Sequence, residues 1–272
     1  MEKIVIASGW KYTDIDILAC VTAYKELLVK EGKEVVVLLP GILNKSITDE
    51  IKKWDVEYTT DIKPDTSNKF IVVDLSEPEY ITPLVDQTRI IELYDHHFGH
   101  ENYWKIKLGK SAKIEKVGSC ATLIGEENKK RDLAKEVSKT SAKLIIAAII
   151  SNTLNFKASV TDRRDIKAYD ELKNIAKLPD DWTEKYFEDQ EKSVFKNPQK
   201  EIINDTHTEK FPGTDETLII GQIELWDSRK FINNYKSQDY SSYESNNNPL
   251  QNPNVALFSD ISLTAVMIDF TL

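Results

Sequence analysis

The stretch Leu93-Tyr94-Asp95-His96-His97-Phe98-Gly99-His100 holds three of the four histidines in a chain of 272 residues. It continues an apolar run from Arg89 to Tyr94, so Asp95, His96 and His97 stand where a strand should end. Two other acidic groups occupy comparable places. Asp14 and Asp16 follow the run Ile4-Val5-Ile6-Ala7 by a short loop, and Asp74 closes Phe70-Ile71-Val72-Val73. Taken singly, each has an ordinary role, because acidic residues cap helices and polar residues close buried strands. Three strand ends with carboxylates, one of them with imidazoles, point to a divalent cation. Carboxylate oxygens suit hard cations, and imidazole moves the preference towards manganese, cobalt, iron or zinc. Asp14, Asp16, Asp74 and His96 supply both donor types. Side chains of neighbouring residues on an extended segment diverge, so one of His96 and His97 should bind metal and the other face substrate. His100 reads as an exposed loop histidine.

The elements that must position these groups alternate along the first half. Strands are predicted at Lys3 to Ala7, Glu34 to Leu39, Phe70 to Asp74 and Ile90 to Asp95. Helices are predicted at Asp14 to Lys30 and around Thr48 to Trp54, then in a helix-rich middle including Ser141 to Ile150 and Thr161 to Asn174. Such alternation predicts an α/β fold with a mostly parallel sheet. In these sheets ligands collect beyond the carboxyl ends of the strands, where the three acidic groups would converge. Apolar periodicity weakens from Leu178 to Lys200, which places the domain connection there. A smaller second α/β unit follows, with strands at Leu218 to Leu225, Val255 to Phe258 and Leu263 to Ile268. Between them Gln238 to Asn254, rich in Ser, Asn and Pro, reads as a loop.

The totals limit what such a site could serve. With 40% hydrophobic and 30% charged residues the composition is that of a globular protein, not a disordered one. A formal charge of -9 argues against an extended nucleic-acid surface or an anionic membrane, so phosphate should meet a local metal site. The strongest late apolar run, Leu144 to Ile150, is too short to span a bilayer. Cys20 and Cys120 lie in apolar stretches without CxxC spacing and read as reduced core thiols, which fits a cytoplasmic location.

Five ordered motifs also carry a resemblance. Asp-x-Asp at Asp14 and Asp16, Val-Val-Asp ending at Asp74, Asp95-His96-His97, Val117 to Ile124 and Ala147 to Asp165 together resemble the DHH phosphoesterase superfamily. The last two look like segments of its family II, manganese-dependent inorganic pyrophosphatases, and Ile219 to Leu225 resembles the start of a DHHA2 domain. The resemblance implies a DHH domain over 1–185, a linker over 186–200 and a DHHA2-like domain over 201–272, the last short at its C-terminus. It makes Asp14 and Asp16 ligands of two metals, with Asp74 bridging them and His96 on the second. Asp95 would orient His96, and His97 would contact a substrate phosphate, the two forming the catalytic pair. Asn152 would be a further ligand, and Lys157 and His207 would bind substrate. The implied cofactor is a divalent metal, manganese first, with cobalt or magnesium as alternatives. The implied partners are a small phosphorylated substrate and, in a homodimer, a second copy of the chain.

The chain departs from that pattern at two metal positions. Trp10 stands where the pyrophosphatases carry a histidine, and Asn152 stands where they carry an aspartate. Neither indole nor a neutral amide replaces the lost donor, so the metals should be held less tightly. His207 likewise takes the place of a lysine. The implied function is hydrolysis of phosphoanhydride or phosphoester bonds, pyrophosphatase-like or acting on short polyphosphate. The alternatives are a nucleotide or oligonucleotide phosphodiesterase, disfavoured by the lack of any Gly-Gly pair, and a non-catalytic phosphate- or metal-binding protein.

Overall fold

The structure, a computed structural model, describes residues 3–63, 65–131, 137–198 and 200, together with Leu225 and the strands at 206–210, 217–221, 253–260 and 263–270. The chain divides into two compact units, Met1–Trp182 and Thr183–Leu272.

The first unit is built on strands β1 (Ile4–Ala7), β3 (Val35–Leu38), β5 (Lys69–Val73), β6 (Ile90–Asp95) and β7 (Ala112–Ile114). They form a five-stranded sheet in the order β3-β1-β5-β6-β7, with every pairing parallel. A small pair, β2 (Tyr12–Thr13) and β4 (Ile42–Leu43), lies apart from it. Helices α1 (Ile15–Lys30), α2 (Glu101–Leu108), α3 (Cys120–Lys130), α4 (Lys139–Asn152) and α5 (Arg163–Ala176) connect and cover the strands.

The near-continuous apolar strands follow from burial on both faces. Val5, Ala7, Phe70, Val72 and Leu93 point to one side, where they pack against Trp104 of α2 together with Ile81 and Val85. Trp104 is fully buried, and its indole donates to the Ser76 carbonyl at 2.6 Å. Ile6, Ile71 and Val73, alternating with these, are fully buried as well. Helix α1 packs on α3 and α4. It presents Ile17, Leu18, Val21, Tyr24 and Leu28 as buried residues.

Two readings need correction. The helix expected around Thr48 to Trp54 is a single 3-10 turn at Ile51–Lys53. The only buried apolar residues there are Ile47 and Ile51, one apolar step, which does not offset the cost of starting an α-helix. The stretch from Leu178 to Lys200, read as losing its apolar periodicity, carries α6 (Trp182–Lys196), and the boundary between the two units falls within it, after Trp182. Its periodicity lies in Trp182, Tyr186, Phe187 and Val194, all buried and separated by charged residues. In the second unit β8 (Thr206–Lys210), β9 (Thr217–Gly221), β10 (Pro253–Asp260) and β11 (Leu263–Phe270) form an antiparallel sheet in the order β10-β11-β9-β8. Residues 238–252 of the expected loop lie outside the described residues, while Pro253 and Asn254 begin β10.

Candidate metal centre

Strands β1, β5 and β6 are neighbours in one parallel sheet, so the loops leaving their carboxyl ends open on the same edge. The sequence puts Asp14 and Asp16, Asp74 and the two histidines on these three loops. Asp14 caps α1, accepting the Ile17 N–H at 2.9 Å, and Asp16 lies in the first turn. Asp74 sits at φ 54, a left-handed conformation costing a non-glycine residue on the order of 1 kcal/mol. The strain is compatible with a backbone held by its surroundings: Asp74 N–H donates to the Tyr94 carbonyl at 2.8 Å.

His96 is aimed by its Nδ1, 3.1 Å from the Val117 carbonyl. A carbonyl only accepts, so Nδ1 carries the hydrogen, and in the neutral ring Nε2 presents a lone pair. That lone pair lies 3.3 Å from Asp74 Oδ1 and 3.7 Å from Asp16 Oδ2. Asp74 Oδ1 is buried and has no hydrogen-bond donor among the described residues. Groups facing one another at this range need a proton or a cation between them, and the donor set of carboxylate and imidazole suits a divalent metal. Asp74, His96 and His97 each offer a ligand atom within 4.8 Å of the others.

The carboxylates show the same demand. Burial, followed by the charge of Asp16, pushes Asp14 up to about 6. Burial, with Asp16 and Asp14 behind it, raises Asp74 well above the ordinary carboxylate range. Crowded buried anions of this kind are relieved either by protons or by a metal.

Asp95 does not orient His96 as the resemblance implied. Its Oδ1 accepts from His97 Nδ1 at 2.8 Å and from the backbone N–H of His96 and His97 at 2.8 and 3.2 Å. Asp95 is wholly buried, and this hydrogen bond raises His97 to about 9 against the opposing effect of desolvation. The expected divergence of the two rings also fails. Strand β6 ends at Asp95, so the alternation of an extended segment no longer applies, and the ring centroids lie 4.3 Å apart. His100 precedes α2 and is not among the three grouped ligands.

Asp16 is held by groups the sequence reading did not assign. It accepts the Cys120 N–H on Oδ2 at 2.8 Å, and on Oδ1 the Ala121 N–H at 2.8 Å and the Ser119 hydroxyl at 3.0 Å. These donors form the amino end of α3, whose partial positive charge favours a carboxylate. The Asn152 side-chain amide also donates to Asp16 Oδ2. Asn152 therefore meets the acidic cluster through its nitrogen rather than through a ligating oxygen.

A further layer fixes the segment from Val117 to Ala121. Asp165 is fully buried and accepts from the Gly118 N–H at 2.8 Å, the Thr122 hydroxyl at 2.6 Å and the Asp162 N–H at 2.7 Å. A Cβ on Gly118 would lie 2.6 Å from Thr153 Cγ2 and 2.7 Å from Asp165 Oδ2, so glycine is required. Two local signals could have found this layer: Ser119 before an apolar run, as a helix cap, and the Asp162-x-x-Asp165 spacing of a capping box.

The expected substrate-binding cations are less defined. Lys157 is exposed and follows Leu154, Asn155 and Phe156, three successive left-handed residues at φ 51, 54 and 66. Phe156 packs edge-on against Tyr169 of α5 with centroids 5.3 Å apart, which anchors that turn. His207 lies on β8, and its side chain falls outside the described residues.

Comparison with known proteins fits this geometry. A Bacillus licheniformis protein named probable manganese-dependent inorganic pyrophosphatase is 29% identical over 178 residues, covering 65% of this chain and 56% of its own length. A Clostridium acetobutylicum protein of the same name is 27% identical over 85% of this chain and 73% of its own. The chain is similar to proteins named as manganese-dependent inorganic pyrophosphatases. Against the first of these it spans only a little over half of the relative's length. No family model matches. Among solved structures, a Methanococcus jannaschii protein described as a family II inorganic pyrophosphatase superposes with a TM-score of 0.64 at 21% identity, covering 99% of this chain and 94% of its own. A Bacteroides fragilis exopolyphosphatase-related protein gives 0.54 at 16% identity over 68% of this chain and 56% of its own. At these identities the structural matches show the two-domain α/β fold.

Proposed function

We propose that this chain is a manganese-dependent hydrolase of phosphoanhydride bonds in small phosphorylated substrates, as in pyrophosphate or short polyphosphate. The observation that carries the reading is His96 Nε2 facing Asp74 Oδ1 at 3.3 Å among buried carboxylates, an oxygen with no hydrogen-bond donor among the described residues. Asp74 and His96 would hold the metal, with Asp14 and Asp16 completing its anionic surroundings. A divalent cation there supplies charge neutralisation for phosphate and lowers the pKa of water.

The protein side chains supply the rest. His97, raised to about 9 by Asp95, carries positive charge at neutral pH and is half-exposed, which suits it to a phosphate oxygen. Asp95 fixes the ring through Nδ1, leaving Nε2 to face the substrate. Lys157 is the further phosphate contact in this proposal. A cytoplasmic homodimer is the proposed state. Free buried Cys20 and Cys120 support a reducing compartment, and among the described residues no helix is long and apolar enough to cross a membrane.

Phosphate release from pyrophosphate, tripolyphosphate and a dinucleotide, with manganese and after chelation, tests the reading. Manganese-dependent release from the first two is expected. Release unaffected by chelation would overturn it. The Asn152 amide on Asp16 favours a second reading, a protein that binds metal and phosphate without turnover. Tight pyrophosphate binding with no release would select it.

A further inference from the structure

Trp10 is 46% exposed and lies in the loop between β1 and Asp14, one of the loops that carry the acidic groups. An antiparallel bridge between Gly9 and Ile81 joins that loop to the one following β5 and sets Trp10 opposite Tyr80, which is 41% exposed. The Lys11 ammonium lies 4.2 Å from the Tyr80 ring centroid and 5.8 Å from that of Trp10. Phe98, directly after His97, is 55% exposed. The three loops leaving β1, β5 and β6, which carry the acidic and histidine groups, thus each also carry an exposed aromatic ring. Scattered exposed aromatics need no explanation, but two rings paired across a backbone bridge around one cation form a platform.

From this juxtaposition we infer that Trp10, Lys11 and Tyr80 bind the planar base of a nucleoside diphosphate whose phosphates enter the metal centre. The inference rests on the hydrolase reading and narrows its substrate class. A bare inorganic phosphate chain has no surface that a paired indole and phenol could contact, whereas a base stacks on aromatic rings in a sequence-tolerant way. Lys11 adds a positive charge on the approach to a strongly acidic chain, which suits an anionic nucleotide. In the reaction the water oxygen bonds to the terminal phosphorus as the bond from that phosphorus to the bridging oxygen breaks. The bond's electron pair stays on the nucleoside monophosphate, and the water's proton passes to solvent.

The test measures equilibrium binding of adenosine diphosphate and methyl diphosphate to the full chain with manganese, followed by phosphate release from both. Adenosine diphosphate should bind roughly tenfold tighter than methyl diphosphate, and Trp10→Ala should remove that advantage while Trp10→Phe keeps most of it. Equal affinity for the two ligands, or an adenosine diphosphate affinity unchanged in Trp10→Ala, overturns the inference. If the affinity difference and its loss in Trp10→Ala are seen but neither compound releases phosphate, the platform stands and the hydrolase reading falls. If both compounds are hydrolysed without any difference in affinity, the hydrolase reading stands and the platform falls.

Discussion

The Asn152 side chain donates its amide to Asp16 Oδ2, placing a neutral hydrogen-bond donor where the resemblance implied a metal-ligating carboxylate. The amide satisfies Asp16 without a cation, and it adds no charge to a cluster in which Asp14 and Asp74 are already raised by burial and by their acidic neighbours. Asn152→Asp should therefore make the metal-free protein less stable, by about 1–3 kcal/mol, since it replaces a part-buried donor with an anion facing a buried anion. With manganese the same change should tighten binding. Thermal denaturation with and without manganese checks both signs, and a metal-free variant as stable as wild type would count against the account.

The two adjacent histidines are expected to fail differently. His96→Ala removes the ring that Val117 aims between Asp74 and Asp16, so manganese affinity should fall at least tenfold by calorimetry. His97→Ala removes the ring bonded to Asp95, and its main effect should be on turnover. Asp95→Asn should resemble His97→Ala, because it loses the carboxylate that raises His97. Equal metal affinity in wild type and His96→Ala would reject the assignment.

How much of this was legible in the sequence depended on whether a group's role follows from its own strand end. The parallel strands β1, β3, β5 and β6 and helix α1 show as apolar runs, and the acidic groups beyond them follow from that pattern. The link between Asp95 and His97 rather than His96 could not be read, because it depends on how the chain turns after β6. Nor could the hold of Cys120 and Ala121 on Asp16, a contact between residues more than a hundred positions apart. Helix α2 and the short strand β7 were missed because α2 buries only Trp104 among charged neighbours and the three residues of β7 are each only part-buried.

That distant hold gives a prediction at a residue with no chemistry of its own. Gly118→Ala would force the backbone away from Thr153 and Asp165, and the moved segment carries the Val117 carbonyl on His96 and the donors on Asp16. Overpacking of this kind costs about 1–3 kcal/mol. Manganese affinity should fall together with stability in urea denaturation. A variant of wild-type stability and affinity would show that the segment adapts freely.

Away from the site, Glu26 joins α1 to the start of α4 and should control acid stability. Its carboxylate accepts from Lys30 Nζ at 2.7 Å, the Ser138 N–H at 2.8 Å, the Ser138 hydroxyl at 2.7 Å and the Ser141 hydroxyl. Burial by itself would raise the group, but these donors outweigh it and hold Glu26 below the ordinary glutamate value. A carboxyl group lowered on folding adds stability that is fully present above its unfolded pKa, and this is lost as pH falls through the folded pKa. Glu26→Gln keeps the shape and removes the charge, so at neutral pH it should cost about 1–2 kcal/mol, while the gap to wild type closes in acid. Urea denaturation across the acid range measures the gap. A difference that stayed constant from neutral pH down to the acid limb would show that the charge of Glu26 is not what ties α4 to α1.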